Sequence, residues 1–250
     1  MNDYRPDEMM VVAAARLLDD HSSCYLGIGP ATEAAMLAQR THAPNLRLFY
    51  ESGCIDAAPT TIPGSIGDPS LLATADVVVS VPFMLNYLVS AGRIDVGAIG
   101  AAQIDKFGNI NSSIIGGGYR RTTVRLAGPA SHPEVGYACG RVHVLMRHSP
   151  RSFVEKVDFV TCFGYGSGRG ERERWGMTGG GPTAVVTDLG LLRPDLATAE
   201  LTLAAVHPGV EVDDVVAATG WDLRVRPDVG VFAAPTEAEL TILRRLRRET

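Results

Sequence analysis

The chain alternates short apolar runs with segments whose apolar residues recur at helical spacing. Asp7 to Leu18 shows the helical spacing, and Cys24 to Ile28 is an apolar run closing on "GIGP". Ala31 to Arg40 is a second, alanine-rich helical stretch stopped by "THAP", and Leu46 to Tyr50 a second strand. Further strands are predicted at "ADVVVSVP" (Ala75 to Pro82) and at "VGAIGAAQI" from Val96, with a helix from Phe83 to Asp95 ending at Gly92. These strands are unbroken apolar runs rather than alternations, which predicts burial on both faces. Strands interleaved with helices predict an α/β fold, an open and largely parallel sheet flanked by helices.

From Asn109 to Arg125 the pattern shortens to small strands and turns, interrupted at Gly116, Gly117 and Gly118. Strands return at "RVHVLMRH" (Arg141 to His148), "KVDFVTC" (Lys156 to Cys162) and "TAVVTD" (Thr183 to Asp188). A glycine-rich loop, Gly164 to Pro182, separates the last two. In "PTEAELTILRRLRRE" (Pro235 to Glu249), Thr236 and Glu239 have capping-box spacing ahead of an amphipathic helix. Its arginine-rich C-terminal end suits the helix dipole. No repeat, low-complexity tract or linker divides the chain, so residues 1–250 read as one domain.

Composition narrows the function classes. A chain of 250 residues, 46% hydrophobic and 20% charged, is long enough for a sizeable core and ordinary for a globular protein. A net charge of -5 opposes a nucleic-acid partner, which would call for a basic face. No apolar run reaches the length of a membrane span, and "MNDYRPDEMM" lacks the apolar core of a signal peptide. The expectation is a cytoplasmic protein with no membrane contact. Cys24, Cys54, Cys139 and Cys162 do not sit at metal-ligand spacing and the histidines are scattered. Reduced thiols and no metal site follow.

Three stretches carry candidate chemistry. The strand Leu46 to Tyr50 stops at a carboxylate, Glu51, followed by Ser52, Gly53 and Cys54. Ligands of open parallel sheets bind beyond the carboxyl ends of strands, where Glu51 lies, and Gly53 permits a tight turn there. The plain alternative is a solvated loop glutamate. In "GAAQIDKFGNINSS" (Gly100 to Ser113), Gly100 leaves space at a strand end and Gln103 could hydrogen-bond a ligand. Asp105, Gly108, Asn109 and Asn111 are turn formers, and a turn is the better reading of that part taken alone. Arg169, Arg172 and Arg174 in the glycine-rich loop could hold phosphates. "GSGRGE" lacks the lysine of a P-loop, however, and "GIGPAT" lacks dinucleotide-fingerprint spacing. A flexible surface loop and a strand-to-helix turn are the plainer readings of these two.

Together, "ESGCIDAAPTTIPGSIGD", "GAAQIDKFGNINSS", "FVEKVDFVT" and "GRGERERWGMTGGGP" occur in an order that resembles one family, nearly end to end. The chain resembles the β subunit of family I CoA transferases, most closely the glutaconate CoA-transferase type. The resemblance implies the open α/β fold shared with sugar-phosphate isomerases and an α-subunit partner in an α2β2 or larger assembly. It also implies an active site at the interface of the two subunits. Glu51 matches the nucleophile, which takes up CoA as a glutamyl thioester. Gly53, Cys54, Gly100 and Gln103 fall in the stretches that would build the oxyanion and acyl pocket. Coenzyme A enters as a moiety of the substrate, with no permanently bound cofactor. Cys54 is read as a small pocket-lining hydrophobe rather than a reactive thiol.

One stretch departs from the pattern. "AGPASHPEV" (Ala127 to Val135) stands where the glutaconate type has a small glycine pair, which puts the acyl substrate in question. Relatives on this scaffold catalyse hydrolytic ring opening or decarboxylation of CoA esters. Their β-subunit glutamate is replaced, whereas Glu51 is present here. A ligand-sensing module and a non-catalytic scaffold subunit are the alternatives from another class. No helix-turn-helix segment precedes the sheet, and Glu51 in its full motif has no role in a scaffold.

Overall fold

The computed structural model describes residues 4–116 and 118–248. Gly117 and Glu249, which belong to predicted features, lie outside the described residues. The chain opens with helix α1 (Pro6–Ala15), β1 (Ser23–Leu26), α2 (Pro30–Gln39) and β2 (Arg47–Tyr50). It continues through β3 (Cys54–Ile55), α3 (Pro69–Thr74), β4 (Val77–Val78) and a helical turn, α4 (Val81–Phe83), that runs on as a π-helix over Met84–Val89. Then come β5 (Val96–Ile99) and four two-residue strands, β6 (Gln103–Ile104), β7 (Ile110–Asn111), β8 (Ile114–Ile115) and β9 (Val124–Arg125). The remainder is α5 (His132–Ala138), β10 (Arg141–Leu145), α6 (Glu171–Arg174), β11 (Pro182–Val186), β12 (Gly190–Pro194), β13 (Leu201–Val206), α7 (Val212–Ala217), β14 (Arg224–Val231) and α8 (Glu237–Arg248).

Ten strands form the main sheet, in the order β14-β13-β12-β11-β10-β5-β1-β2-β3-β4. The stretch from β11 to β2 is parallel throughout, as the unbroken apolar runs predict. Side chains alternate between its faces. Cys24, Leu26, Leu48 and Tyr50 enter a core with α1, α2 and α8, whereas Tyr25, Phe49, Ile99 and Val144 pack with the π-helix and α5. Helix α5 comes close because β5 carries Gly97, where a Cβ would stand 2.4 Å from Val135 Cγ1.

Several predicted elements differ. Lys156 to Cys162 forms no strand among the described residues; only Cys162 bridges to Ile110, and Phe159 and Val160 stay exposed. Strand β10 pairs directly with β11, which leaves no parallel slot for that segment. "ADVVVSVP" shrinks to β4, an exposed antiparallel edge, because the sheet reverses direction after β2. "VGAIGAAQI" divides at Gly100 into β5 and β6, which belong to different sheets. The sequence pattern missed β12, β13 and β14. Strand β14 reads Arg-Val-Arg-Pro-Asp-Val-Gly-Val and is mostly exposed, so periodicity could not mark it.

Helix α8 closes the molecule against α1. Its capping box is formed: Thr236 N donates to Glu239 Oε2 (2.7 Å) and Glu239 N to Thr236 Oγ1 (3.2 Å). Arg244 bonds buried Glu8 through Nε (2.9 Å), and Arg247 bonds Asp7 and Glu33. The Arg244 hydrogen bond holds the Glu8 carboxyl at about 2, below the ordinary 4.5. A depressed carboxylate adds stability that is complete above its unfolded value and fades as pH falls toward the folded one. Stability from Glu8 should therefore be lost between pH 4.5 and about 2. Glu8→Gln should lower stability at neutral pH by about 2 kcal/mol, since Arg244 keeps partial access to water. Chemical denaturation at pH 7 and pH 3 checks both, and the gap between variant and wild type should narrow at the lower pH.

Candidate active site

Strand β2 delivers Glu51 to the carboxyl edge of the parallel stretch, beside the ends of β1 and β5. The turn after it is tight: Gly53 N donates to Tyr50 O (2.9 Å), and Val79 N to Gly53 O (3.0 Å). Gly53 adopts φ +98°, and a Cβ there would lie 1.9 Å from the Val79 carbonyl oxygen. Only glycine accepts both conditions. The reversal starts β3, whose Cys54 is buried and joins the α1–α2 core.

Glu51 is half-buried, and its Oε2 faces the Ser131 hydroxyl at 3.4 Å. Ser131 lies at the entry to α5, in the "AGPASHPEV" stretch. Tyr25, from the neighbouring strand β1, is 1% exposed. Burial is the main cause that raises its phenol far above its ordinary value; the nearby Ser131 hydroxyl opposes the rise and the Glu51 charge adds to it. The Tyr25 hydroxyl makes no hydrogen bond of good geometry, and neither do Ser52 Oγ and Glu134 Oε2, both also buried. Buried polar atoms without partners are rare and costly. Of these, the Tyr25 hydroxyl lies near enough to Glu51 for the carboxylate charge to bear on its ionisation.

The "GAAQIDKFGNINSS" stretch is largely wired to itself. Gln103 donates through Nε2 to Asp158 (3.0 Å), and its Oε1 accepts from Asn111 Nδ2 (2.7 Å). Buried Asp105 accepts from Phe107 N, Asn109 N and Asn109 Nδ2, forming the turn expected there. Burial raises the Asp105 carboxyl above its ordinary value. Gly100 is exposed at the end of β5, on the same sheet edge as Glu51. Thus Gly53 and Gly100 adjoin the edge where Glu51 stands, while Cys54 and Gln103 are committed to packing and to the turn.

The glycine-rich loop is pinned rather than free. Arg172 is buried and donates to the carbonyls of Gly136, Phe163, Gly164 and Gly179. Arg169 donates to Leu196 O and Arg174 to Glu171. The arginines thus staple the loop to α5 and to itself, which corrects the surface-loop reading. "GIGPAT" is the strand-to-helix turn between β1 and α2. All four cysteines are free and buried. Among the described residues no cluster of histidine, cysteine and carboxylate side chains is suited to a metal, and no helix is long and apolar enough to cross a membrane.

Sequence reasoning missed Tyr25 and Ser131. The signal for Ser131 was the departure at Ala127 to Val135, read there only as bearing on the acyl substrate. Tyr25 carried none, because a tyrosine in an apolar strand reads as core.

Comparison with known proteins gives the chain's family and fold. A model of the coenzyme A transferase family matches residues 7–218. The chain is 44% identical to the B subunit of 3-oxoadipate CoA-transferase from Pseudomonas knackmussii, over 100% of this chain and 96% of that one. It superposes on the crystal structure of glutaconate CoA-transferase from Acidaminococcus fermentans with a TM-score of 0.90 and 32% identity, covering 97% and 94% of the two chains. It is also 30% identical to the IpdB subunit of the cholesterol ring-cleaving hydrolase of Rhodococcus jostii, over 85% and 79% of the chains.

Replacement tests the site's local build. Gly53→Ala should cost more than about 2 kcal/mol, from strain at positive φ and the clash with Val79. Cys54→Ala should lose about 1 kcal/mol and leave kcat within about threefold of wild type, as a packing change does. Thermal melts and steady-state kinetics on the assembled enzyme read both.

Proposed function

The chain belongs to the coenzyme A transferase family, and from that premise we propose that it is the subunit that supplies the nucleophile, Glu51. The supporting observation is the placement of Glu51 at the carboxyl end of β2, against a serine hydroxyl and near the buried, unpartnered Tyr25 hydroxyl. A carboxylate at that place can attack an acyl-CoA thioester, forming an acyl-glutamyl anhydride and releasing the CoA thiolate. The thiolate attacks the glutamyl carbonyl, expels the carboxylate of the acyl acid, and leaves CoA on Glu51 as a thioester. An acceptor acid then reverses both steps. Dividing the exchange in this way retains the thioester's free energy so long as water stays out.

A partner subunit fits the surface beside the site. Leu72, Val77, Val78, Val81, Phe83 and Tyr87 are exposed along α3, β4, α4 and the π-helix. Val78 pairs with Cys54 and Val79 with Gly53, so this apolar face adjoins the Glu51 turn. Contiguous apolar surface of this kind marks an interaction site. We assign it to the α subunit, since the transferase relatives are themselves named as one subunit of an assembly. This completes the site from the partner's side.

The two transferase relatives are named for dicarboxylic acids, 3-oxoadipate and glutaconate. The segment that presents Ser131 to Glu51 also walls a cavity of about 600 Å³, lined by Ile114, Leu126, Pro129, Pro133, Phe159 and Arg125. Arg125 stacks over the Tyr119 ring at 5.1 Å. An apolar chain ending in a second carboxylate fits that lining, and a dicarboxylic acyl group is the proposed substrate class.

Five outcomes test the proposal. Acyl-CoA without acceptor, followed by borohydride, should place a reduced thioester at Glu51 in peptide mapping. Glu51→Gln should abolish transfer, and Glu51→Asp should lose about 100-fold through misplacement of the carboxylate. A label elsewhere, or wild-type transfer by Glu51→Gln, overturns the nucleophile; hydrolysis outrunning transfer would make the protein a hydrolase. On the apolar face, Phe83→Glu with Tyr87→Glu should abolish co-purification with the α subunit and all activity. Arg125→Met should raise KM for a dicarboxylic acyl-CoA by about tenfold, the worth of one charge-assisted hydrogen bond, and leave a monocarboxylic analogue unaffected.

A further inference from the structure

Two buried hydroxyls, of Ser131 and Tyr25, bear on Glu51. Ser131 is 4% exposed, and its Oγ donates toward Glu51 Oε2 over 3.4 Å. That is long for a hydroxyl donor, whose usual distance is about 2.7–2.8 Å. Resting-state catalytic hydrogen bonds are often long and tighten only as charge develops. On neighbouring strand β1, Tyr25 is 1% exposed, its hydroxyl has no well-formed hydrogen bond, and both Ser131 and Glu51 bear on its ionisation. Phenylalanine would fill the same core at no such cost, so the oxygen calls for a role outside packing.

Ser131 is held from both sides. Gly128 N donates to Ser112 O (3.0 Å), and Ser112 Oγ donates to Gly128 O (2.9 Å). That leaves Ser112 Oγ as the acceptor for His132 Nδ1 at 2.8 Å, so His132 carries its proton on Nδ1. Desolvation lowers the His132 pKa, which favours the neutral ring. Ala130, a non-glycine residue, sits at φ +44° immediately before Ser131. Backbone in that region is strained and persists where its surroundings enforce it. These bonds lock the loop that aims one serine at one carboxylate oxygen.

We propose that Tyr25 and Ser131 form a two-hydroxyl relay that stabilises the oxyanion on Glu51 Oε2. This rests on the reading of Glu51 as the nucleophile. Glu51 Oε1 attacks the thioester, so Oε2 remains the carbonyl oxygen of the acyl-glutamyl anhydride. When the CoA thiolate adds to Glu51 Cδ, the carbon–sulfur bond forms and the π electrons move to Oε2. Ser131 donates to that oxygen while Tyr25 donates to Ser131 Oγ. Collapse restores the carbonyl, breaks the bond from Cδ to Oε1, and releases the acyl carboxylate with both electrons. No proton leaves either hydroxyl. Ser131 is the catalytic residue of the pair; Tyr25 acts through it.

The test is a double-mutant cycle in the co-expressed complex. Ser131→Ala should lower kcat by about 100-fold, as loss of one oxyanion donor does, and change KM less than about threefold. Tyr25→Phe should lower kcat by about tenfold, below the loss for a direct donor, while Tm stays equal or rises because an unpartnered oxygen is gone. In the Ser131→Ala background, Tyr25→Phe should cost nothing further, which a merely structural tyrosine would not reproduce. Ser131→Thr, retaining the hydroxyl, should recover much of the rate. Wild-type kcat in Tyr25→Phe, or effects that multiply in the double variant, overturn the relay. Should Ser131→Ala fail to assemble, Tyr25→Phe alone decides, since it removes one oxygen from a packed ring. Borohydride labelling of Glu51 in the same samples separates the two ideas. A labelled Glu51 with indifferent hydroxyls rejects only the relay, and an unlabelled wild type rejects the nucleophile itself.

Discussion

The turn at Gly53 is the constraint on which the rest depends. There the chain leaves a parallel sheet and doubles back as an antiparallel edge, with the Val79 carbonyl pressed against Gly53 where a side chain would stand. This one close approach fixes where β2 must end, and so where its last carboxylate stands. It also anchors β4 and the helical turn beyond it, whose apolar residues face outward. The Glu51 carboxylate and the apolar face beyond β4 are thus set by a single glycine. A looser loop would leave the Glu51 carboxylate without a fixed place at the sheet edge.

The α5 layer supplies the second half of the geometry. Gly97 lets α5 lie directly on β5, and the buried Arg172 ties the glycine-rich loop to the Gly136 carbonyl of the same helix. Both contacts are remote from the chemistry, yet they hold the entry of α5, where Ser131 is found. In this reading the glycines and arginines of the loop position the site rather than bind phosphate.

The parallel strands and the flanking helices α1, α2 and α8 were legible in the sequence, because their cause is local: apolar runs, helical spacing and a capping box. Lys156 to Cys162 misled because its pattern suits a strand, while the sheet has no vacancy between β10 and β11. Strands β12 to β14 were hidden for the opposite reason. They extend the sheet past its parallel stretch, beginning with the antiparallel β12, and β14 exposes residues that carry no period. Of the site, Glu51 was legible because it interrupts an apolar run. Ser131 lies 80 residues away and Tyr25 lies in a strand that reads as core, so only the fold brings them together.

The staple between α8 and α1 has a consequence for how the molecule is made. Glu8 and Arg244 are 236 residues apart in the chain and meet only in the finished fold. During synthesis α1 and α2 are produced first, and their shared apolar surface waits for Leu243 and Leu246 to cover it. Parallel strands already demand long-range pairing, and here the layer over them is completed by residues made 236 positions after Glu8. Throughout that interval the nascent chain carries one sheet face incompletely roofed, and chaperones that shield apolar surface have their opportunity there.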